Sequence, residues 1–96
     1  MAFTQLISFT SSRPDEIKAL FEDWGAVVRE FETATSSVMY EDRDDGSYVA
    51  IVQFPDYETA MRNSQDERTS AMAERFAKLC DTGPAFRNLD EKFSLL

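Results

Sequence analysis

Few side chains in this chain can do chemistry, and those few are spread along its length. None of the 96 residues is histidine and only one is cysteine. The commonest general base and metal ligand is therefore missing, and no intramolecular disulfide can form. Trp24 can offer an indole wall to a flat ligand, and Tyr40 and Tyr48 can offer hydroxyls. Arg62 with Asn63, and Arg87 with Asn88, pair a guanidinium with an amide. Such a pair suits a carboxylate or another polar ligand group. Each has a structural alternative: Trp24 and the tyrosines can simply pack, Arg62 and Asn63 can finish a helix, and Arg87 can pair with a neighbouring acid. No Ser-His-Asp set, Cys-His pair, P-loop or dinucleotide fingerprint is present. Cys80 follows an apolar stripe and reads as a small buried hydrophobe.

The acidic run Glu41, Asp42, Asp44, Asp45 invites a calcium loop. An EF-hand loop needs acids at positions 1, 3 and 5, Gly at 6 and Glu at 12. Counted from Asp42, Asp45 and Gly46 each arrive one residue early, and position 12 is Gln53. The spacing fails, so the run reads as a solvated hairpin tip. Neither a metal site nor a cofactor site is expected.

These residues must be positioned by a handful of elements. Residues 3–10 are β-branched and aromatic with loose alternation and predict a strand. Ser12 is a plausible helix cap, with Pro14 in the first turn. Ile17, Leu20, Phe21, Trp24, Val27, Val28 and Phe31 then recur at helical spacing. Thr33–Ser37 is a turn-rich link, and Val38-Met39-Tyr40 opens a second strand. Asp45-Gly46 before Tyr48–Phe54 signals a hairpin. Asp56 can cap a short helix reaching about Asn63, with Tyr57, Ala60 and Met61 inward. A polar break at 64–68 precedes a helix from about Thr69 to Leu79. Gly83 suits the left-handed position after that helix, and residues 85–96 read as a strand and tail.

The order β-α-β-β-α-β, with its second helical region split, predicts an α+β ferredoxin-like fold over a single domain, residues 1–96. Right-handed crossovers put all helices on one face of a four-stranded antiparallel sheet. Tyr48–Phe54 is apolar on both of its faces, which implies that both are covered. A chain of 96 residues has no segment to spare for the second face. A sheet-to-sheet homodimer follows as the expected assembly.

Charge narrows the partners. The net charge of −8 disfavours binding to a nucleic-acid backbone. Its excess is local: residues 41–58 hold six acids and one base, while residues 59–96 balance. No run approaches the length and apolarity of a membrane span, and the first residues lack the pattern of a secretory signal. Cytoplasmic residence is expected.

The stretches Tyr48-Val-Ala-Ile-Val-Gln-Phe-Pro-Asp-Tyr-Glu-Thr-Ala-Met-Arg-Asn-Ser64 and Leu79-Cys-Asp-Thr-Gly-Pro-Ala-Phe-Arg-Asn-Leu-Asp90 resemble small actinobacterial proteins. Those are similar to the dimeric α/β-barrel superfamily, which includes antibiotic-biosynthesis-monooxygenase-like domains. The resemblance implies that fold and a homodimer with a pocket between helices and sheet. It leaves activity open between a binding protein and a cofactor-independent monooxygenase or isomerase-like enzyme acting on an aromatic or polyketide-like substrate. Haem-using members ligate iron through a histidine, which this chain lacks.

Overall fold

Alternation in the first strand decides which way the sheet faces. Phe3, Ile7 and Phe9 are buried on one side, while Thr4, Leu6, Ser8 and Thr10 share the other. The computed structural model describes residues 2–31 and 34–96. In chain order it holds β1 (Phe3–Thr10), α1 (Pro14–Phe31), β2 (Ser36–Glu41), β3 (Tyr48–Phe54), α2 (Tyr57–Gln65), α3 (Glu67–Leu79) and β4 (Thr82–Asp90). The strands lie in the order β2-β3-β1-β4 with every neighbouring pair antiparallel. This is the ferredoxin-like arrangement that the element order predicts. Among the described residues, no helix is long and apolar enough to cross a membrane.

Helix α1 begins one residue later than a Ser12 cap would place it. The Arg13 carbonyl accepts the first helical bond from Ile17 N–H. Ser12 instead donates its hydroxyl to the Asp81 carboxylate, and Ser11 Oγ accepts from Arg13 N–H. Ile17 and Leu20 are buried against the sheet. They join Ile7, Phe9, Ala50, Met72 and Phe76 in the principal core. Phe9 and Phe21 meet Phe76 edge-on, with ring centroids 4.8 and 5.3 Å away. A second cluster, Phe3, Phe54 and Ala60, seats α2 on the sheet. Tyr57 is exposed overall, yet its ring meets Phe3 edge-on at 5.3 Å. Thr33 and the side chains of Val28 and Phe31 lie outside the described residues.

Two aspartates punctuate the second helical region. Asp56 caps α2 by accepting from both the Thr59 N–H and the Thr59 hydroxyl, each at 2.7 Å. The break before α3 is shorter than residues 64–68: Asp66 alone ends one helix and caps the next, accepting from Arg68 N–H at 2.9 Å. The Thr59 backbone and hydroxyl bonds hold the Asp56 carboxyl below its ordinary value of 3.8. A carboxylate whose folded pKa is depressed stabilises the fold above its unfolded pKa and loses that effect as pH falls through the folded value. Asp56→Ala is therefore expected to lower the melting temperature at pH 7, with the gap from the native chain closing below about pH 4. Thermal melts at pH 7 and pH 3 check this; a gap that stays constant on acidification contradicts it.

Gly83 does not end α3. Cys80 occupies that C-cap, and Gly83 lies inside β4 with φ +82. A Cβ there would stand 2.8 Å from the Ser8 carbonyl oxygen and 3.2 Å from Phe9 Cα. Glycine is thus needed both for the left-handed backbone and for the close approach of β4 to β1. The strand accordingly starts at Thr82, three residues before the apolar pattern suggests.

Strand alternation leaves the other side of the sheet bare. Val38, Ile51, Leu6 and Arg87 form one row across all four strands on the face away from the helices. On that face Val38 is 43%, Tyr40 53% and Leu89 38% exposed. Phe93, Leu95 and Leu96 in the tail after β4 are also exposed.

Candidate functional site

On the helix-bearing side, the rows of the sheet make a floor. Ser37, Val52, Gln5 and Asn88 follow one another across the four strands. Met39, Ala50, Ile7 and Phe86 form the next row. The floor is therefore apolar with one polar stripe, in which Gln5 Nε2 donates to Asn88 Oδ1 at 3.4 Å. Helix α1 bridges this floor without filling the space beneath it. Phe21 and Trp24 stack with centroids 5.9 Å apart and line the wall, while Met72 and Phe76 stay in the core.

The result is a partly open cavity of about 770 Å³. Ile7, Phe21, Trp24, Met39, Tyr48 and Val52 supply most of its apolar wall. Gln5, Ser37 and Asn63 contribute polar groups, and Lys18, Glu22 and Arg29 also line it from α1. Lys18 and Glu22 are paired at 4.0 Å, and Arg29 Nε donates to the Gly25 carbonyl. A smaller chamber of about 290 Å³ adjoins this space and shares Gln5, Ile7, Trp24, Phe54 and Asn63 with it. Pockets of such size and lining, apolar with a few placed polar groups, are the usual form of small-molecule sites.

Trp24, Tyr48 and Asn63 are thus brought together around one space. Trp24 comes from α1, Tyr48 from the start of β3 and Asn63 from the last turns of α2, where it is buried. The remaining candidates lie elsewhere. Tyr40 pairs with Val49, and Arg87 with Leu6, so both fall on the helix-free face. A one-residue offset along a strand reverses the side chain, and Tyr40 is one residue from Glu41, the partner of Tyr48. Arg62 is exposed on α2 and donates to Thr59 Oγ1 at 3.2 Å. Asn88 sits on the helix side of β4, bonded to Gln5 but outside the cavity lining.

Residue type and spacing alone do not point to Gln5. Its signal is parity: in Phe3-Thr4-Gln5-Leu6-Ile7-Ser8-Phe9 it is the one polar residue on the buried side. Two carboxylates of the acidic hairpin are spent on the hairpin itself. Asp42 accepts from Asp44 N–H, and Asp45 accepts from both the backbone and hydroxyl of Ser47. Among the described residues, no three Asp, Glu, Cys or His side chains are grouped to hold a metal ion. The Cys80 thiol donates to the Phe76 carbonyl, and burial, then the Asp81 charge, push its pKa up. Both effects favour the neutral thiol over the nucleophilic thiolate.

Comparison with known proteins places the architecture. The same ferredoxin-like fold occurs in solved structures that include a cofactor-independent oxygenase and an antibiotic biosynthesis monooxygenase. Rv0793 from Mycobacterium tuberculosis is similar over 100% of both chains, with a TM-score of 0.80 and 16% identity. SnoaB from Streptomyces nogalater, a cofactor-independent oxygenase, is similar over 98% of this chain and 96% of its own, with a TM-score of 0.84 and 20% identity. An antibiotic biosynthesis monooxygenase is similar over 94% and 98%, with a TM-score of 0.76 and 13% identity. At these identities the likeness is one of fold. No family model matches the chain, and no curated protein matches it in sequence.

Proposed function

We propose that this protein takes a flat, oxygenated aromatic molecule into the cavity between α1 and the sheet and oxidises it with dioxygen, without a bound cofactor. The observation that carries the reading is the cavity itself. Its volume of about 770 Å³ exceeds what a three-ring molecule needs, and its walls are apolar with amides at Gln5 and Asn63. The stacked pair Phe21 and Trp24 offers a ring face for an aromatic ligand. SnoaB, with the same fold, is a cofactor-independent oxygenase.

Such chemistry asks little of the protein's own acids and bases, in keeping with a chain that has no histidine. An anthrone-type substrate carries a CH2 that is acidified by its rings and carbonyl. Once one proton is lost, the carbanion itself reduces O2. Both C–H bonds of that carbon break and one C=O bond forms. The O–O bond breaks, and the second oxygen atom leaves as water with the two hydrogens. All electrons come from the substrate. The protein's part is to hold the ring plane between Trp24 and the floor, exclude water, and hydrogen-bond the developing oxygen through Gln5, Asn63 or Tyr48.

Anthrone is the direct probe. Oxygen uptake and appearance of the quinone are expected to run faster with protein than in buffer, and Asn63→Ala is expected to slow them by about a hundredfold, as loss of one charge-stabilising donor does. Equal rates with and without protein overturn the catalytic reading. Binding without turnover leaves a small-molecule-binding protein, the other reading of the same cavity.

The assembly we infer is a cytoplasmic homodimer joined through the helix-free face. Val38, Tyr40 and Leu89 on that face are exposed in the single chain, and Ile51 lies between Val38 and Leu6. A face this apolar is a natural interface between two copies.

A further inference from the structure

The longest helix of the chain carries a residue that weakens it. Gly25 stands inside the 18-residue α1, where glycine is less favourable than any residue except proline. A protein is obliged to keep glycine by a left-handed backbone or by a neighbour too close for a Cβ. Neither holds at this position. The backbone at Gly25 is helical, unlike that of Gly46 and Gly83 with their positive φ. Beyond its chain neighbours and the helix's own backbone, a Cβ there would meet one atom, Arg29 Nη2, at an ordinary 3.7 Å. The fold itself therefore gives no reason for the glycine.

The space beside it does. Gly25 is half-buried and lines the main cavity together with Phe21 and Arg29, four residues before and after it. Residues four apart stand on one stripe of a helix. Along the cavity, α1 thus presents a phenyl ring, a notch of bare backbone and a guanidinium. Arg29 is tied to this place, because its Nε donates to the Gly25 carbonyl at 3.1 Å. The notch is a property of one missing side chain.

We propose that Gly25 sets how broad a ring system the cavity admits. The edge of the ligand's fused rings lies against the bare helix backbone between Phe21 and Arg29. This rests on the reading that the cavity binds a flat aromatic molecule, and it adds which residue fixes the breadth of that molecule. Gly25 is a specificity-determining residue, and α1 is less stable there in exchange for room. Any side chain at position 25 should strengthen the helix and narrow the cavity together. A residue with only a structural role would not couple those two effects with opposite sign.

The test uses the full chain, Gly25→Ala and Gly25→Leu, and two ketones that differ by a ring. Anthrone has three fused rings; 1-tetralone keeps the ketone and its fused aromatic ring but lacks the third. Each is titrated under nitrogen while emission of the single tryptophan, Trp24, is followed; it lines the same cavity. Both variants are expected to melt about 4–8 °C above the native chain, since alanine and leucine are good helix formers. Gly25→Ala is expected to bind anthrone about tenfold more weakly and Gly25→Leu about a hundredfold, the range for small changes of bulk in an apolar pocket. Both should hold 1-tetralone within about twofold of the native affinity. Anthrone affinity unchanged in Gly25→Leu overturns the proposal, as does a loss of anthrone binding that 1-tetralone shares equally. Variants that melt below the native chain overturn it too, because the fold would then need the glycine. In each of these cases a native chain that binds anthrone leaves the cavity reading standing. A native chain that binds neither ketone removes both.

Discussion

Phe76→Ala is expected to lower the free energy of unfolding by about 3–5 kcal/mol, the range for a large aromatic removed from a packed core. Phe76 is 1% exposed, among the largest fully buried side chains of the protein, and contacts rings from two other elements. Phe9 comes from the sheet and Phe21 from α1, so this single residue of α3 fastens three parts of the core together. The site cannot easily collapse after truncation. It borders the small chamber, and the space left by the ring would open into a void of about 290 Å³ already present. A domain of 96 residues is stabilised by roughly 5–14 kcal/mol in all, so the loss takes a large share of the total. Phe93→Ala is the control: Phe93 is 78% exposed in the tail and its removal should be close to neutral. Urea unfolding of the three proteins decides the matter. A Phe76→Ala midpoint within error of the native one would mean that the core is not organised around this ring.

Phe76 also shows why so much of the fold could be read from residues alone. Its spacing from Met72 and Leu79, like that of Ile17, Leu20, Phe21 and Trp24, is a local period that a helix imposes wherever it packs. The hairpin was equally local, since Asp45-Gly46 needs only its own backbone, and Gly46 does take a positive φ of 74. What escaped was set at long range. Gly83 followed by Pro84 after an apolar stripe has the local meaning of a helix end. Its actual reason is the Ser8 carbonyl, 75 residues away in sequence, lying 2.8 Å from where a Cβ would be. The site divides in the same way. Trp24 belongs to a strongly periodic helix whose inward face is evident, and it reaches the cavity, as does Tyr48, whose strand is apolar on both faces. Tyr40 and Arg87 belong to β2 and β4, whose facing follows from register with β3 and β1. One residue of slip exchanges the two faces, and no single-chain pattern specifies it there.

The second large effect is expected on assembly. In solution the native chain should have twice its 11.0 kDa mass, and Val38→Asp should return it to the mass of one chain. Val38 is 43% exposed on β2, and Leu89, 38% exposed, lies on β4 at the opposite edge of the same face. The substitution costs the isolated protomer little, because Val38 faces away from the helices and the core. Across a two-fold interface each aspartate occurs twice and is carried out of water with no cation provided for it, a penalty of several kcal/mol for each buried charge. Leu89→Asp should act in the same way from the opposite edge, although Arg87 on the same strand and face offers it a partial partner. It is therefore expected to weaken the dimer less. Light scattering over a concentration series separates the outcomes. A native mass of one chain removes the dimer, and a Val38→Asp protein that stays dimeric moves the interface off this face. The melting temperature gives an independent reading. If the sheet face is an interface, native stability rises with protein concentration, whereas that of Val38→Asp does not. The helix-side cavity lies on the far side of the sheet from both substitutions. Anthrone binding by the monomeric variant would show that each protomer holds its site alone, and its loss would show that the floor under Gln5 and Val52 needs a second sheet behind it.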